Sequence, residues 1–321
     1  MGAAHNPETA TTLDHDAADH VPRLRPIFYG VSRVGPGAPP ELVASVHSAD
    51  EELLGYVAID RLQPAPAWGL LLAQKDLSVD DVCLLARETS AQLALYGIAR
   101  GSCHFLFTAG GGGSDARTRR AEYVAGLSSL TAKGLCRFAT DGSRAADEVA
   151  RAGLVASAAA ATRVALRSCG LRERRPTIAQ HLSSRATRAV VEALGGCERP
   201  SPPADVLLVG APTWTLGVRQ ATALQCRVLV ALGPVRLADG VEEILDERKI
   251  VVLPEALVAG GRLAGLHFVE QGMQAPEALI RVAALAESKT DELFARSPAG
   301  PLVGESRDFV SPVPMGAAQV A

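Results

Sequence analysis

The chain has 321 residues, 35 acidic against 32 basic side chains for a net charge of −3, 48% hydrophobic residues and 4% aromatics. There is neither a broad basic field nor a set of stacking rings to hold nucleic acid, so no nucleic-acid partner is expected. No apolar run reaches the ~18 to 20 residues of a membrane span and the N-terminus is polar and acidic, so a cytoplasmic protein without a membrane partner is expected. Six cysteines (Cys83, Cys103, Cys136, Cys169, Cys197 and Cys226) stand singly, without C-x-x-C pairs, and read as reduced thiols, most of them small core residues. The length suits two cores of ordinary size.

Residues 1–22 lack periodicity and large apolar side chains, which predicts a disordered tail. His5, His15 and His20 fall there at irregular spacing and are not expected to hold a metal. From Arg23 an α/β pattern begins, with strands expected at Ile27–Tyr29, Leu42–Ala44 and Leu54–Asp60. Leu77–Ala99 reads as a helix capped by Ser78, with Asp80 and Asp81 in its first turn and Val82, Leu85, Ala86, Thr89, Leu93 and Tyr96 on one face. A turn and strand follow over Gly101–Phe107, then a surface loop at Gly110–Gly113 and a helix over Arg117–Leu130. The alanine-rich stretch Ala145–Gly170 predicts a long helix able to form a spine between domains.

Ile178 and Ala179 then read as a strand, His181–Arg185 as a turn, and Ala186–Leu194 as a helix stopped by Gly195 and Gly196. The Pro-rich link Cys197–Pro203 is too short for a strand, a helix and another strand. Three buried strands (Asp205–Val209, Arg227–Ala231, Lys249–Leu253) with a helical segment at Gly240–Arg248 predict a parallel sheet. An amphipathic helix over Pro276–Ala295 precedes a tail at 297–321. The expected organisation is a two-domain α/β protein: 23–150 for substrate and oligomerisation, 151–269 as a truncated Rossmann-like domain, and 270–296 packing back.

The run from Arg227 to Leu263, R-V-L-V-A-L-G-P through V-V-L-P-E-A-L-V-A-G-G-R-L, resembles the cofactor domain of the glutamate/leucine/phenylalanine/valine dehydrogenase family. Gly55–Gly69 and Leu85–His104 are similar to the N-terminal domain of its leucine dehydrogenase branch. The resemblance implies NAD- or NADP-dependent oxidative deamination of an L-amino acid, with two lysines and an aspartate at the chemistry. It also implies assembly through the N-terminal domain.

Laid on the family's lysine run, this chain has Gln92 at the first lysine and His104 at the second, beside Cys103 and Arg100. Trp68 and Gly69 fall on the substrate glycines, Val258 on the family's asparagine, and Asp141 on its aspartate. The family's glycine loop falls on Gln180–Ala186, where His181 and Ser183 stand in place of glycines, with Leu182, Ser184 and Arg185 at the positions between and after them. Next to it, the strand that should carry a ribose-binding acid is read as missing, and Asp205 is not counted as that acid. No nicotinamide cofactor is therefore expected. Three readings stay open: a non-catalytic member acting through homo-oligomers or hetero-oligomers with an active relative, a cofactor-free enzyme on a small amino-acid-like molecule using His104 and Asp141, and an oxidoreductase with an atypical nucleotide mode. His104 reads as a partly buried structural residue before a catalytic one, Asp141 equally as a helix cap, and Ser183–Arg185 as a solvated capping turn before a small-anion site.

Overall fold

The structure, a computed structural model, describes residues 22–26, 40–74, 78–108, 114–140, 142–171, 175–210, 214–233 and 235–296. The expected strand at Ile27–Tyr29, the Gly110–Gly113 loop, Asp141, the three N-terminal histidines and the 297–321 tail lie outside the described residues.

Strands β1 (Arg23–Pro26), β2 (Leu42–His47), β3 (Leu53–Arg61), β4 (Ala67–Gly69), β5 (Leu71–Gln74), β6 (Ser102–Thr108) and β7 (Cys136–Phe138) form one mixed sheet. Its path is β1-β2-β3-β6-β4-β7, with β5 also on β6; the first three pairings are antiparallel and those of β4, β5 and β7 parallel. Alternate residues of a strand face opposite ways, and the two faces have different covers. Val57, Ile59, Cys103, Phe105 and Phe107 pack toward Tyr123 and Leu127, on and beside helix α2 (Ser114–Gly126). Ala58 and Leu106 pack toward Val82, Leu85 and Ala86 of helix α1 (Val79–Leu95), whose first turn is capped by Ser78 Oγ accepting from Asp81 N at 3.1 Å. The single helix expected over Arg117–Leu130 is broken: α2 ends at Gly126, where any Cβ would press to 2.4 Å from Val46, and α3 (Ser128–Ala132) restarts after Leu127.

Helix α4 (Arg144–Ser168) crosses residue 150, so the domain cut expected there falls inside one continuous helix. By length and composition α4 could cross a membrane, correcting the sequence estimate, but 67% of its apolar window is buried inside the protein. Strand β8 (Thr177–His181) leads to α5 (Arg185–Leu194), which Gly195 ends at φ 61°, the left-handed conformation glycine adopts most easily. The Pro-rich link then contains a strand after all: β9 (Cys197–Arg199) pairs parallel with β8, Glu198 opposite Ile178.

Strands β10 (Val206–Val209), β12 (Val228–Ala231) and β14 (Val251–Leu253) complete a parallel sheet in the order β14-β12-β10-β8-β9. Between them run β11 (Trp214–Leu216), α6 (Val218–Ala223), β13 (Val235–Leu237) and α7 (Val241–Glu247), with β11 and β13 paired on their own. The link is too short for a further helix and outer strand beyond β9, so this half is a shortened doubly wound sheet. Ile178, Leu208 and Val230 face α4 and α5, while Ala179, Leu207 and Leu229 face α6 and α7.

Helices α8 (Glu255–Ala259), α9 (Gly261–Glu270) and α10 (Ala275–Arg296) close the fold against α4. Gly153 of α4 and Gly261 of α9 meet so closely that a Cβ on Gly153 would stand 2.1 Å from the Gly261 carbonyl oxygen. Trp68, Leu93 and Tyr96 from the first half share one core with Leu154, Leu257 and Leu263 from the second.

Candidate functional site

The C-terminal ends of β8, β10, β12 and β14 look across a cleft of about 480 Å³ onto β5, β6 and α1. In parallel sheets this end is where ligands bind, because strand order reverses there and helix starts converge. Leu70, Leu72, Leu85, Leu154 and Leu232 give the cleft apolar walls; Thr89, Gln92, His104, Glu255 and Arg262 are among its polar lining, as are Asp147, Arg151 and Ser184.

His104 reaches the cleft because β6 alternates: it lies on the α1 face, while Cys103 points into the α2 core. Burial, then the Arg262 charge, lowers the His104 pKa to about 3, so the ring is neutral. The Thr89 hydroxyl donates its one proton to the Leu85 carbonyl at 2.8 Å. Its 3.5 Å contact with His104 Nδ1 therefore has the ring as donor, which leaves Nε2 as a bare acceptor. That Nε2 is buried and has no hydrogen-bond partner among the described residues. As it stands, the imidazole is no base near neutral pH.

Gln92 donates from Nε2 to Glu255 Oε1 at 2.8 Å, tying α1 to the start of α8, and the Tyr96 hydroxyl donates to the Leu257 carbonyl at 2.8 Å beside it. Glu255 Oε2 is buried, with no partner within geometric hydrogen-bond reach among the described residues. Burial and then the neighbouring Glu88, through its charge and a side-chain hydrogen bond, push the Glu255 carboxyl well above the usual range, against the pull of Arg262 and the Gln92 hydrogen bond. Arg262 on α9 has its pKa lowered by burial, with Glu255 opposing, and donates one long hydrogen bond, Nη2 to the Leu232 carbonyl at 3.4 Å. Sequence reasoning passed over Glu255 and Arg262. The available signal was a single charged residue in the apolar run between Lys249 and Arg262.

The other expected site residues divide. Gln92, His104 and Ser184 line the cleft; Trp68, Gly69, Arg100, Cys103, Val258, His181, Ser183 and Arg185 are not among its lining residues. Arg100 bridges to Glu270 at 2.7 Å with its guanidinium carbon 4.9 Å from the Trp68 ring centre, and Arg137 bonds the same carboxylate. Burial works to raise the Glu270 pKa, but the Arg137 hydrogen bond and both arginine charges outweigh it, and the net shift is downward. Gly69 is pressed on Cys103, whose carbonyl oxygen would lie 1.9 Å from an added Cβ. Burial drives the Cys103 thiol pKa well up. The Val258 carbonyl accepts from Ser157 Oγ at 2.5 Å, joining α8 to α4.

At the β8–α5 turn the side chains of Gln180, Ser183, Ser184 and Thr187 bond within the turn and to β9. Ser184 Oγ accepts from Thr187 N at 3.1 Å and Thr187 Oγ1 from Ser184 N at 2.8 Å, a reciprocal cap. Ser183 Oγ donates to Gln180 Oε1 at 3.1 Å, and Gln180 Nε2 donates to Glu198 Oε1 of β9 at 2.6 Å. The His181 ring stands 5.7 Å from that of Trp214. Leu182 adopts φ 57° with 57% of its surface exposed, and the Gly210 α-carbon is packed against its carbonyl. Asp205 is at the opposite end of the sheet, accepting from Thr177 N and Oγ1 at 2.8 Å each. Among the described residues no group of three or more metal-ligating side chains occurs.

An antiparallel-rich half and a shortened Rossmann-like half around an interdomain cleft define a class of two-domain α/β protein. Its fold is that of the amino-acid dehydrogenases. L-tryptophan dehydrogenase from Nostoc punctiforme superposes with a TM-score of 0.55 at 15% identity, over 85% of this chain and 94% of that one. A glutamate dehydrogenase gives 0.64 at 12%, over 90% and 83%. The hetero-hexameric glutamate dehydrogenase from Thermus thermophilus, in its Leu-bound form, gives 0.62 at 15%, over 90% and 86%. No protein-family model and no curated protein matches the sequence.

Proposed function

We propose that this chain is a degenerate relative of the amino-acid dehydrogenases that works without a nicotinamide dinucleotide. It is not an oxidative deaminase. The observation that carries the reading is the β8–α5 turn. A pyrophosphate at a helix start needs bare backbone N–H groups and glycines that let it approach. Here Ser184 already caps Thr187 N, and Leu182 holds a side chain at positive φ where glycine would be open. The turn does not fit the cofactor, and no step is derived through it. With Gln92 and His104 at the positions the family resemblance assigns to lysines, no lysine stands among the described residues that line the cleft.

The chain acts through assembly, with itself or with an active relative, and through whatever its cleft holds. One similar structure is a hetero-hexamer, which supports the assembly reading. Light scattering after size-exclusion should give a multimer, and an intact dehydrogenase should co-purify if the partner is a relative; a monomer that captures none contradicts this. The decisive assay is nicotinamide reduction with leucine, valine, phenylalanine, glutamate and tryptophan: no turnover above background is expected, and turnover with any of them overturns the reading. A second reading, nucleotide bound in an atypical way, is favoured by Glu198, an acid on the strand next to β8 where a ribose hydroxyl could be met.

A further inference from the structure

Outside the cleft, two arginines converge on one carboxylate. Arg100 Nη2 lies 2.7 Å from Glu270 Oε2 and Arg137 Nη2 donates to Glu270 Oε1, so both guanidiniums already meet across a group the size of one carboxylate. Their guanidinium carbons stand 4.9 and 6.0 Å from the centre of the Trp68 ring, whose π face attracts cations. Both arginines also line a pocket of about 400 Å³ with Pro64, Ala65, Pro66 and Ala99, and no acid is among its described lining. None of these residues lines the cleft, so the pocket stands whatever the cleft holds.

Three chain segments hold the pocket in shape. Gly101 N donates to the Pro64 carbonyl, Trp68 N to the Gly101 carbonyl and Ala67 N to the Leu135 carbonyl, each at 2.9 Å. The approach at Gly101 needs a glycine, since a Cβ there would press to 2.6 Å on the Arg61 carbonyl oxygen.

Two positive charges here face one negative. His267 beside them adds little near neutral pH, because burial, then the Arg100 charge, lowers its pKa. Glu270 is the last residue of α9, where a carboxylate meets the negative end of the helix dipole. Its side chain is 35% exposed, so its place can be taken from solvent. Arg137 Nε is buried and has no hydrogen-bond partner among the described residues, which leaves a donor that Glu270 does not use.

We propose that Arg100 and Arg137 form a phosphate site, for inorganic phosphate or a small phosphate ester, which the Glu270 carboxylate occupies when the ligand is absent. An external carboxylate would only exchange like for like with Glu270. A phosphate group carries a charge of about −1.5 to −2 at pH 7 and at least three acceptor oxygens, so it balances both guanidiniums and reaches donors the single carboxylate leaves. The proline and alanine walls give a short ester group an apolar surface.

The test is calorimetric titration of the full chain at low ionic strength with inorganic phosphate, butyl phosphate and butanoate. Both phosphates should bind saturably, one per chain, and butanoate about tenfold more weakly or worse. Whichever phosphate binds tighter identifies the source, ester or free ion. Arg137→Gln should weaken phosphate about tenfold or more. Glu270→Gln keeps the side chain's size and removes the competing charge, so it should tighten phosphate about tenfold, an effect that a merely structural bridge would not give. It also decides the matter if the arginine variant folds poorly. No saturable phosphate binding, butanoate as tight as phosphate, an affinity unchanged by Arg137→Gln, or no tightening in Glu270→Gln overturns the proposal.

Discussion

The β8–α5 turn and the polar floor of the cleft use the same kinds of side chain to opposite effect. At the turn, Ser183, Ser184, Thr187, Gln180 and Glu198 satisfy one another. On the floor, His104 Nε2 and Glu255 Oε2 are left over. A turn that has closed its own hydrogen bonds offers a ligand little, because each new contact must first break an old one. A floor with unpaired atoms is destabilised until something fills it. The difference places the unpaired polar atoms of the cleft beside α1, α8 and α9, in the same cleft that Ser184 of the turn lines.

The largest expected effect is on pH dependence. Folded His104 titrates near 3, below its ordinary 6.5, so between those values the unfolded chain binds more protons. Stability should therefore rise with pH across that window, by roughly 1.4 kcal/mol per unit at most, and be lost on acidification. Glu255 works the other way: its raised pKa means the folded chain holds a proton the unfolded one has released, so stability falls as pH climbs above the ordinary carboxylate range. Denaturant melts from pH 3 to 9 should show both limbs, with His104→Leu flattening the acid one and Glu255→Gln the alkaline one. Limbs unchanged in both variants would mean that neither group is held as described.

Next in size, His104→Leu should stabilise the ligand-free protein near neutral pH by about 1 to 2 kcal/mol, since it removes an unpaired buried acceptor and leaves the Thr89 bond to Leu85 intact. Ser184→Ala should do the reverse, costing about 1 kcal/mol through the lost cap on α5. Equal signs for these two substitutions, in parallel urea titrations, would erase the contrast between turn and floor. The smallest effect is at Leu182→Gly, which should gain roughly 0.5 to 1 kcal/mol by relieving a left-handed leucine.

Most of the scaffold was legible in the sequence because local signals and packing agree there. Ser78 followed by two aspartates marks α1, the alanines mark α4, and the continuous apolar runs mark β10, β12 and β14. The strand β9 was not legible: all three of its residues are exposed, so neither alternation nor an apolar run marks them, and only the edge of β8 makes them a strand. Arg100 and Trp68 fall on motif positions, yet they serve the packing with Arg137 and Glu270 instead of lining the cleft. The floor was half legible. Gln92 and His104 come from the N-terminal run, but Glu255 and Arg262 gain their meaning only when α8 and α9 fold against α1, and no spacing rule joins residues so far apart in sequence.

The central claim, a cleft in an amino-acid dehydrogenase fold that works without nicotinamide dinucleotide, is tested most directly by isothermal titration of the full chain with NAD and with NADP. The account predicts no saturable heat with either. A stoichiometric isotherm with either nucleotide, weakened by Glu198→Ala, would contradict it and assign the β8–α5 turn to the cofactor after all.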